Sequence, residues 1–128
     1  GTLARTAREI PVVALVGPDA PAERVARLQA AGVVVEEVDG ADGRLELPAA
    51  LAALWGRGVR TVFCEGGGRL GAALLGDDRV DRLYIFQAPV LYGTEGVPAF
   101  PGAVRFRGRR VDVRSMGEDA LFIIDRSG

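Results

Sequence analysis

From Ile10 to about Phe86, short β-branched runs alternate with segments of helical period, and this rhythm constrains the fold more than any single residue does. Such alternation builds strand-helix-strand units around a parallel sheet, so the expected class is α/β. Val12 to Val16 reads as a buried strand closed by Gly17 and Pro18. Pro21 suits a first helical turn, Val25, Leu28 and Ala31 follow at helical spacing, and Gly32 can take the left-handed position past the helix end. Val33 to Val38 is the next strand, and Gly40 to Gly43 a turn. A second helix runs from about Leu47 to Trp55, with Leu47, Leu51, Leu54 and Trp55 on one face and Gly56 or Gly58 ending it. Trp55 is expected in the core. Val59 to Phe63 reads as a third strand, Glu65 to Gly68 as a turn, and a short helix carrying Leu70, Ala73 and Leu74 ends at Gly76. Leu83 to Leu91 is a long strand.

After Leu91 the rhythm changes to a Gly/Pro loop, Tyr92 to Gly102, for which a lid and an ordinary connection are both open readings. Val104 to Val113 then alternates as a strand does, with Gly108 as a candidate bulge, and Ala120 to Ile124 is apolar throughout. Met116 to Asp119 has turn chemistry, so an antiparallel hairpin should finish the sheet. The 128 residues amount to one ordinary domain, without internal repeats.

Composition excludes several chemistries. The chain has no histidine, so it has no Ser-His-Asp or Cys-His pair and no imidazole ligand or proton shuttle. Its one cysteine, Cys64, can form neither an internal disulfide nor a thiolate cage, and beside Glu65 it is expected to be a small buried hydrophobe. No metal site is expected. All 16 basic residues are arginine, and 17 acids bring the net charge to −1, which is no footprint for nucleic acid. Arg105, Arg107, Arg109, Arg110 and Arg114 form a local basic stretch that reads as a solvated strand face. No apolar run approaches the ~20 residues of a membrane span, and nothing resembles a signal peptide, so the expected compartment is the cytoplasm.

The most informative stretch is Val59 to Leu75. Gly66, Gly68 and Gly71 fit G-x-G-x-x-G directly after an expected strand and at the opening of a helix. Glycines there let backbone approach a pyrophosphate, whose charge is favoured by the free N–H groups at the helix start. The acid that usually follows ~20 residues later to hold a ribose is absent, Gln87 standing in that region, so a standard NAD site is disfavoured. A phosphate-binding turn of another fold and a turn made for close packing both remain open. Glu65, at the carboxyl end of the expected strand, is placed to accept hydrogen bonds from a ligand or to complement the helix dipole. Arg69, in the first helical turn, either meets an anion or is a solvated surface arginine.

The run Thr61 to Leu70, TVFCEGGGRL, followed by Val80-Asp81-Arg82-Leu83, by Ala88-Pro89-Val90-Leu91 and by Gly93, resembles the reductase domain of bifunctional riboflavin-biosynthesis deaminase/reductases. The similarity extends from Arg5 to Gly117-Glu118-Asp119. It implies a dihydrofolate-reductase-like fold, with a mostly parallel sheet, flanking helices and the C-terminal antiparallel hairpin. It also implies NADPH-dependent reduction of 5-amino-6-(5-phosphoribosylamino)uracil to its ribitylamino counterpart. By resemblance, Glu65 contacts the substrate, while Gly67, Gly68, Arg69, Leu70, Gly71, Ala72 and Ala73 line the cofactor site. No catalytic acid or base is assigned. Residues 1–128 would be the C-terminal part of such a domain, without its opening part or the zinc deaminase domain, and a homodimer is expected to cover the exposed sheet. Two alternatives stay open: a related pyrimidine or pterin reductase, and a non-catalytic nucleotide-binding or dimerisation module.

Overall fold

A computed structural model describes residues 2–126, which divide between residues 62 and 63 into two compact units. In the first unit, a short helix α1 (Thr2–Arg5) precedes strand β1 (Val13–Val16), helix α2 (Ala22–Ala30) and strand β2 (Val34–Glu37). Strands β1 and β2 pair in parallel, Val13 opposite Val34 and Val16 opposite Glu37, with α2 as their crossover. A small hairpin follows, β3 (Gly40–Ala41) and β4 (Arg44–Leu45), then helix α3 (Leu47–Gly56) with Pro48 in its first turn. Asp42 and Gly43 turn the hairpin at φ 53° and 69°, the paired left-handed conformation that Asp-Gly favours. Ala7, Val33 and Val38 are the buried hydrophobes of this unit.

The second unit opens with helix α4 (Gly68–Gly76) and carries an antiparallel sheet of β5 (Arg82–Gln87), β6 (Arg110–Met116) and β7 (Asp119–Asp125) in the order β5-β7-β6. Its buried hydrophobes are Leu75 and Leu121. The hairpin expected at the C-terminus forms as β6–β7. Gly117 has φ 69° while Glu118 keeps a negative φ, as a two-residue turn led by glycine requires.

All three longer helices end in the same way. Val33 N–H reaches back to Leu28 O and Gly32 N–H to Gln29 O, with Gly32 left-handed at φ 90°. Val59 and Gly58 repeat this pair of bonds on Leu54 and Trp55, and Arg79 and Asp78 repeat it on Leu74 and Leu75. The two bonds satisfy carbonyls that the helix leaves open. In α4 the left-handed position is filled by Asp78, at φ 60°, rather than by glycine.

Several expectations are corrected. Among the described residues parallel pairing is confined to β1–β2, the other ladders being antiparallel. Val59–Phe63 forms no ladder with any of the described strands. β5 stops at Gln87, since its partner β7 begins at Asp119 and Pro89 has no N–H to offer. β6 begins only at Arg110, opposite Asp125, where β7 ends. Gly108 is a point of close packing instead of a bulge: a Cβ there would lie 2.1 Å from Ile124 Cγ2. Cys64 is exposed. Trp55 is also exposed (61%), and its ring is covered by the Arg60 guanidinium, 3.9 Å from the ring centre.

Candidate functional site

The glycine turn expected from the sequence lies at the N-terminus of α4. Gly67 caps the helix in an extended conformation, φ −65° and ψ 169°, and its carbonyl accepts from Leu70 and Gly71 N–H at 3.0 and 3.2 Å. The N–H groups of Gly67, Gly68 and Arg69 have no acceptor among the described residues. Three consecutive unpaired amides at a helix start are a concentrated partial positive charge.

The glycines differ in what surrounds them. A Cβ on Gly67 would meet nothing within 4 Å. One on Gly68 would lie 2.2 Å from Ala99 O and 3.4 Å from Pro101 Cδ, and one on Gly71 would lie 3.0 Å from Phe100 Cε1. The far end of the 92–102 loop therefore rests on the first turn of α4 through the second and third glycines of the motif. Both readings of the turn find an observation: Gly68 and Gly71 allow close packing, while Gly67 leaves an open approach to the free amides. For the loop, the packing of residues 99–101 supports an ordinary connection.

Glu65 is exposed two residues before the cap, without a hydrogen-bond partner among the described residues, and Arg69 is exposed on the first turn. Leu70 and Ala73 are exposed, whereas Gly71 and Ala72 are half-buried on the packed side. The set expected to line a cofactor site thus divides between the two sides of the helix. Phe63 packs edge-on against Tyr84 of β5, ring centres 5.8 Å apart, so the chain leading to Glu65 is anchored on the sheet.

A second feature of this unit was not legible as a site. Arg105, Arg107, Arg109 and Arg126 line an open pocket of about 900 Å³ together with Asp78 and Gly108. The alternation of the first three was visible in the sequence. The approach of Arg126, which comes from beyond β7, was not. Among the described residues no cluster of three or more Cys, Asp or Glu side chains is arranged to hold a metal, and no helix is long and apolar enough to cross a membrane.

A mixed α/β chain with an exposed carboxylate before a glycine-capped helix is the class that comparison with known proteins makes specific. The RibD C-terminal domain family matches residues 3–122, and the chain belongs to that family. It is 32% identical over 122 residues to a 2,5-diamino-6-ribosylamino-4(3H)-pyrimidinone 5′-phosphate reductase of Methanothermobacter thermautotrophicus, covering 88% of this chain and 54% of the relative. A reductase of the same description from Archaeoglobus fulgidus is 32% identical over 92 residues, 72% of this chain and 39% of the relative. The chain therefore spans about half the length, or less, of these relatives. Among solved structures, a pyrimidine reductase-like protein from Corynebacterium diphtheriae aligns with 94% of this chain and 51% of its own length, at TM-score 0.71 and 22% identity. Acinetobacter baumannii RibD aligns with 87% of this chain and 30% of its own, at TM-score 0.65 and 20% identity. At those identities the structural likeness concerns the fold.

Proposed function

We propose that this chain is part of a dihydrofolate-reductase-like domain that reduces a ribosylaminopyrimidine 5′-phosphate to its ribitylamino form with NADPH. The observation that carries the reading is the pairing, at one turn, of the exposed Glu65 with the three unpaired amides of Gly67, Gly68 and Arg69. A carboxylate accepts from substrate hydroxyl or amino groups, and free amides at a helix start donate to phosphoryl oxygens. The open space over Gly67 fits a pyrophosphate, whose approach a side chain would hinder. NADPH, when bound, supplies the hydride; the protein's part is to hold, orient and exclude water. Glu65 is given a positioning role.

The substrate implied by the resemblance is the uracil, whereas the relatives' names specify the 2,5-diaminopyrimidinone. The two differ at ring position 2 and share the ribosylamino phosphate arm on which reduction occurs. Turnover of each with NADPH separates them. Calorimetric titration of the chain with NADPH and NADH tests the cofactor assignment: tighter binding of NADPH, weakened in Gly67→Val, is expected, and no binding of either overturns it. A second reading is a non-catalytic nucleotide-binding or dimerisation module: NADPH binding without turnover of either pyrimidine favours the former, and the close packing of Gly68 and Gly71 with no binding of either cofactor favours the latter.

A homodimer is proposed on the face of the β5-β7-β6 sheet that carries Leu83, Ile85, Val111, Val113, Phe122 and Ile124. Val111 and Val113 there are 58% and 56% exposed.

A further inference from the structure

We propose that Arg105, Arg107, Arg109 and Arg126 form a binding site for the phosphoryl groups of a small molecule, a site that shares no residue with the turn at Glu65. Along residues 104–109 exposure alternates: Val104, Phe106 and Gly108 are half-buried while Arg105, Arg107 and Arg109 are exposed. The stretch is fixed against β7 at its C-terminal end. Arg109 N–H donates to Asp125 O at 2.8 Å, and Gly108 lies so close to β7 that a Cβ would meet Ile124 Cγ2. Arg126 is held at the pocket by Asp78, which accepts from it through both its carboxylate and its backbone oxygen, the latter at 2.7 Å. The Arg126 guanidinium also sits 5.6 Å from the centre of the Phe106 ring.

Four arginines thus line a pocket of about 900 Å³ with one acidic residue, Asp78, whose carboxylate is already engaged by Arg126. Arg105, Arg107 and Arg109 have no carboxylate partner among the described residues. Like charges gathered on one side of a short segment repel one another, and an anion between them offsets that repulsion. The whole chain carries a net charge of −1, so the patch is a local concentration and not part of a basic surface. Its size suits a compact ligand, since pockets for small molecules are roughly 300–1,000 Å³. Arginine forks match phosphoryl oxygens two at a time, which favours an oxyanion with several such oxygens over a carboxylate.

The probe is inorganic triphosphate, titrated calorimetrically into the chain and into Arg105→Gln/Arg107→Gln, two exposed side chains whose removal leaves the Arg126–Asp78 contact in place. Millimolar or tighter binding is expected, weakened about tenfold in the double variant and weakened again between about 50 and 300 mM salt. Arg105→Lys/Arg107→Lys should recover only part of the loss, because it restores charge without the fork. Absence of binding at millimolar triphosphate, or equal affinity of the double variant with an unchanged melting temperature, overturns the proposal. Competition by NADPH identifies the cofactor as the source of the phosphoryl groups, and its absence identifies a separate ligand; either way the site is upheld by triphosphate binding that the double variant weakens. This readout does not depend on the role of Glu65, so failure here and failure of the reductase reading are distinguishable.

Discussion

Gly67 and Gly68 are neighbours of identical chemistry, yet their surroundings assign them opposite sensitivities. Gly68→Ala drives a Cβ to 2.2 Å from Ala99 O, a backbone atom that yields only if the loop moves. A cost of about 1–3 kcal/mol is expected, read as a lowered denaturant midpoint. Gly67→Ala meets open space at a φ that alanine adopts freely, so it should lose only the difference in capping between glycine and alanine, under about 1 kcal/mol. Equal destabilisation of the two would remove the basis for separating the packed side of the turn from its open side. A different residue-scale prediction concerns Asp125, which lies opposite Arg82 and Arg110 on the two flanking strands. Hydrogen bonding from Arg82 holds its carboxyl below the usual aspartate value, outweighing partial burial, which pushes the other way, and the nearby charges of Arg82 and Arg110 add to the lowering. The same contact, followed by one with Tyr84, holds the Arg82 guanidinium above its own usual value. A carboxyl lowered on folding contributes stability above its unfolded value, near 3.8, and loses it as pH falls through the lower folded value. Asp125→Asn should therefore be less stable than the parent at neutral pH, and the gap should close below pH 3.8. Urea midpoints at a series of pH values check this; a gap constant down to the acid limit would contradict it.

At the scale of elements, the segment 104–109 depends on β7 for its course. Gly108→Ala would place a methyl 2.1 Å from Ile124 Cγ2 and 3.0 Å from Asp125 O, pushing the arginine-bearing stretch away from the strand. Loss of about 1–3 kcal/mol is expected, with the largest amide shift changes in residues 104–109 and 124–126; shifts confined to residue 108 would mean that the segment is held otherwise. What sequence reasoning recovered at this scale is what is encoded locally. Helices α2, α3 and α4 carry their apolar spacing and their terminal turns within themselves, and the β6–β7 hairpin carries Gly117 at its corner. Asp78 was missed as a helix terminator because glycine is the ordinary signal for that conformation. Val59–Phe63 has the composition of a strand, but a ladder also needs a neighbour, which composition does not report. The exposed Trp55 was misread for a related reason: apolar periodicity marks a face, and only tertiary structure tells whether anything covers it. The glycine turn and Glu65 were legible because their pattern is contiguous. The approach of Ala99 to Gly68, and of Arg126 to Arg105, Arg107 and Arg109, is non-local and left no mark in the sequence.

Across the whole molecule, little side-chain area is removed from water. Only Ala7, Val33, Val38, Leu75 and Leu121 are buried hydrophobes among the described residues, whereas Phe86, Leu91, Tyr92 and Val97 stand largely in solvent. Such a chain should be marginal as a monomer and should gain from any association that covers the face of Ile85, Val111 and Val113. Self-association that is linked to folding makes stability depend on concentration, with each tenfold increase above the dissociation constant contributing about 1.4 kcal/mol. The melting temperature is therefore expected to rise with protein concentration, and Val111→Lys/Val113→Lys, which places charges on that face without touching Leu121, should abolish the dependence. Leu121→Ala is the contrasting case: it empties a buried position at the centre of the three-stranded sheet, and a loss of about 2–5 kcal/mol should lower the melting temperature at every concentration. Light scattering alongside the melts separates the two effects. A monomeric mass together with a concentration-independent melting temperature in the parent would show that the exposed sheet face is not covered by a second copy.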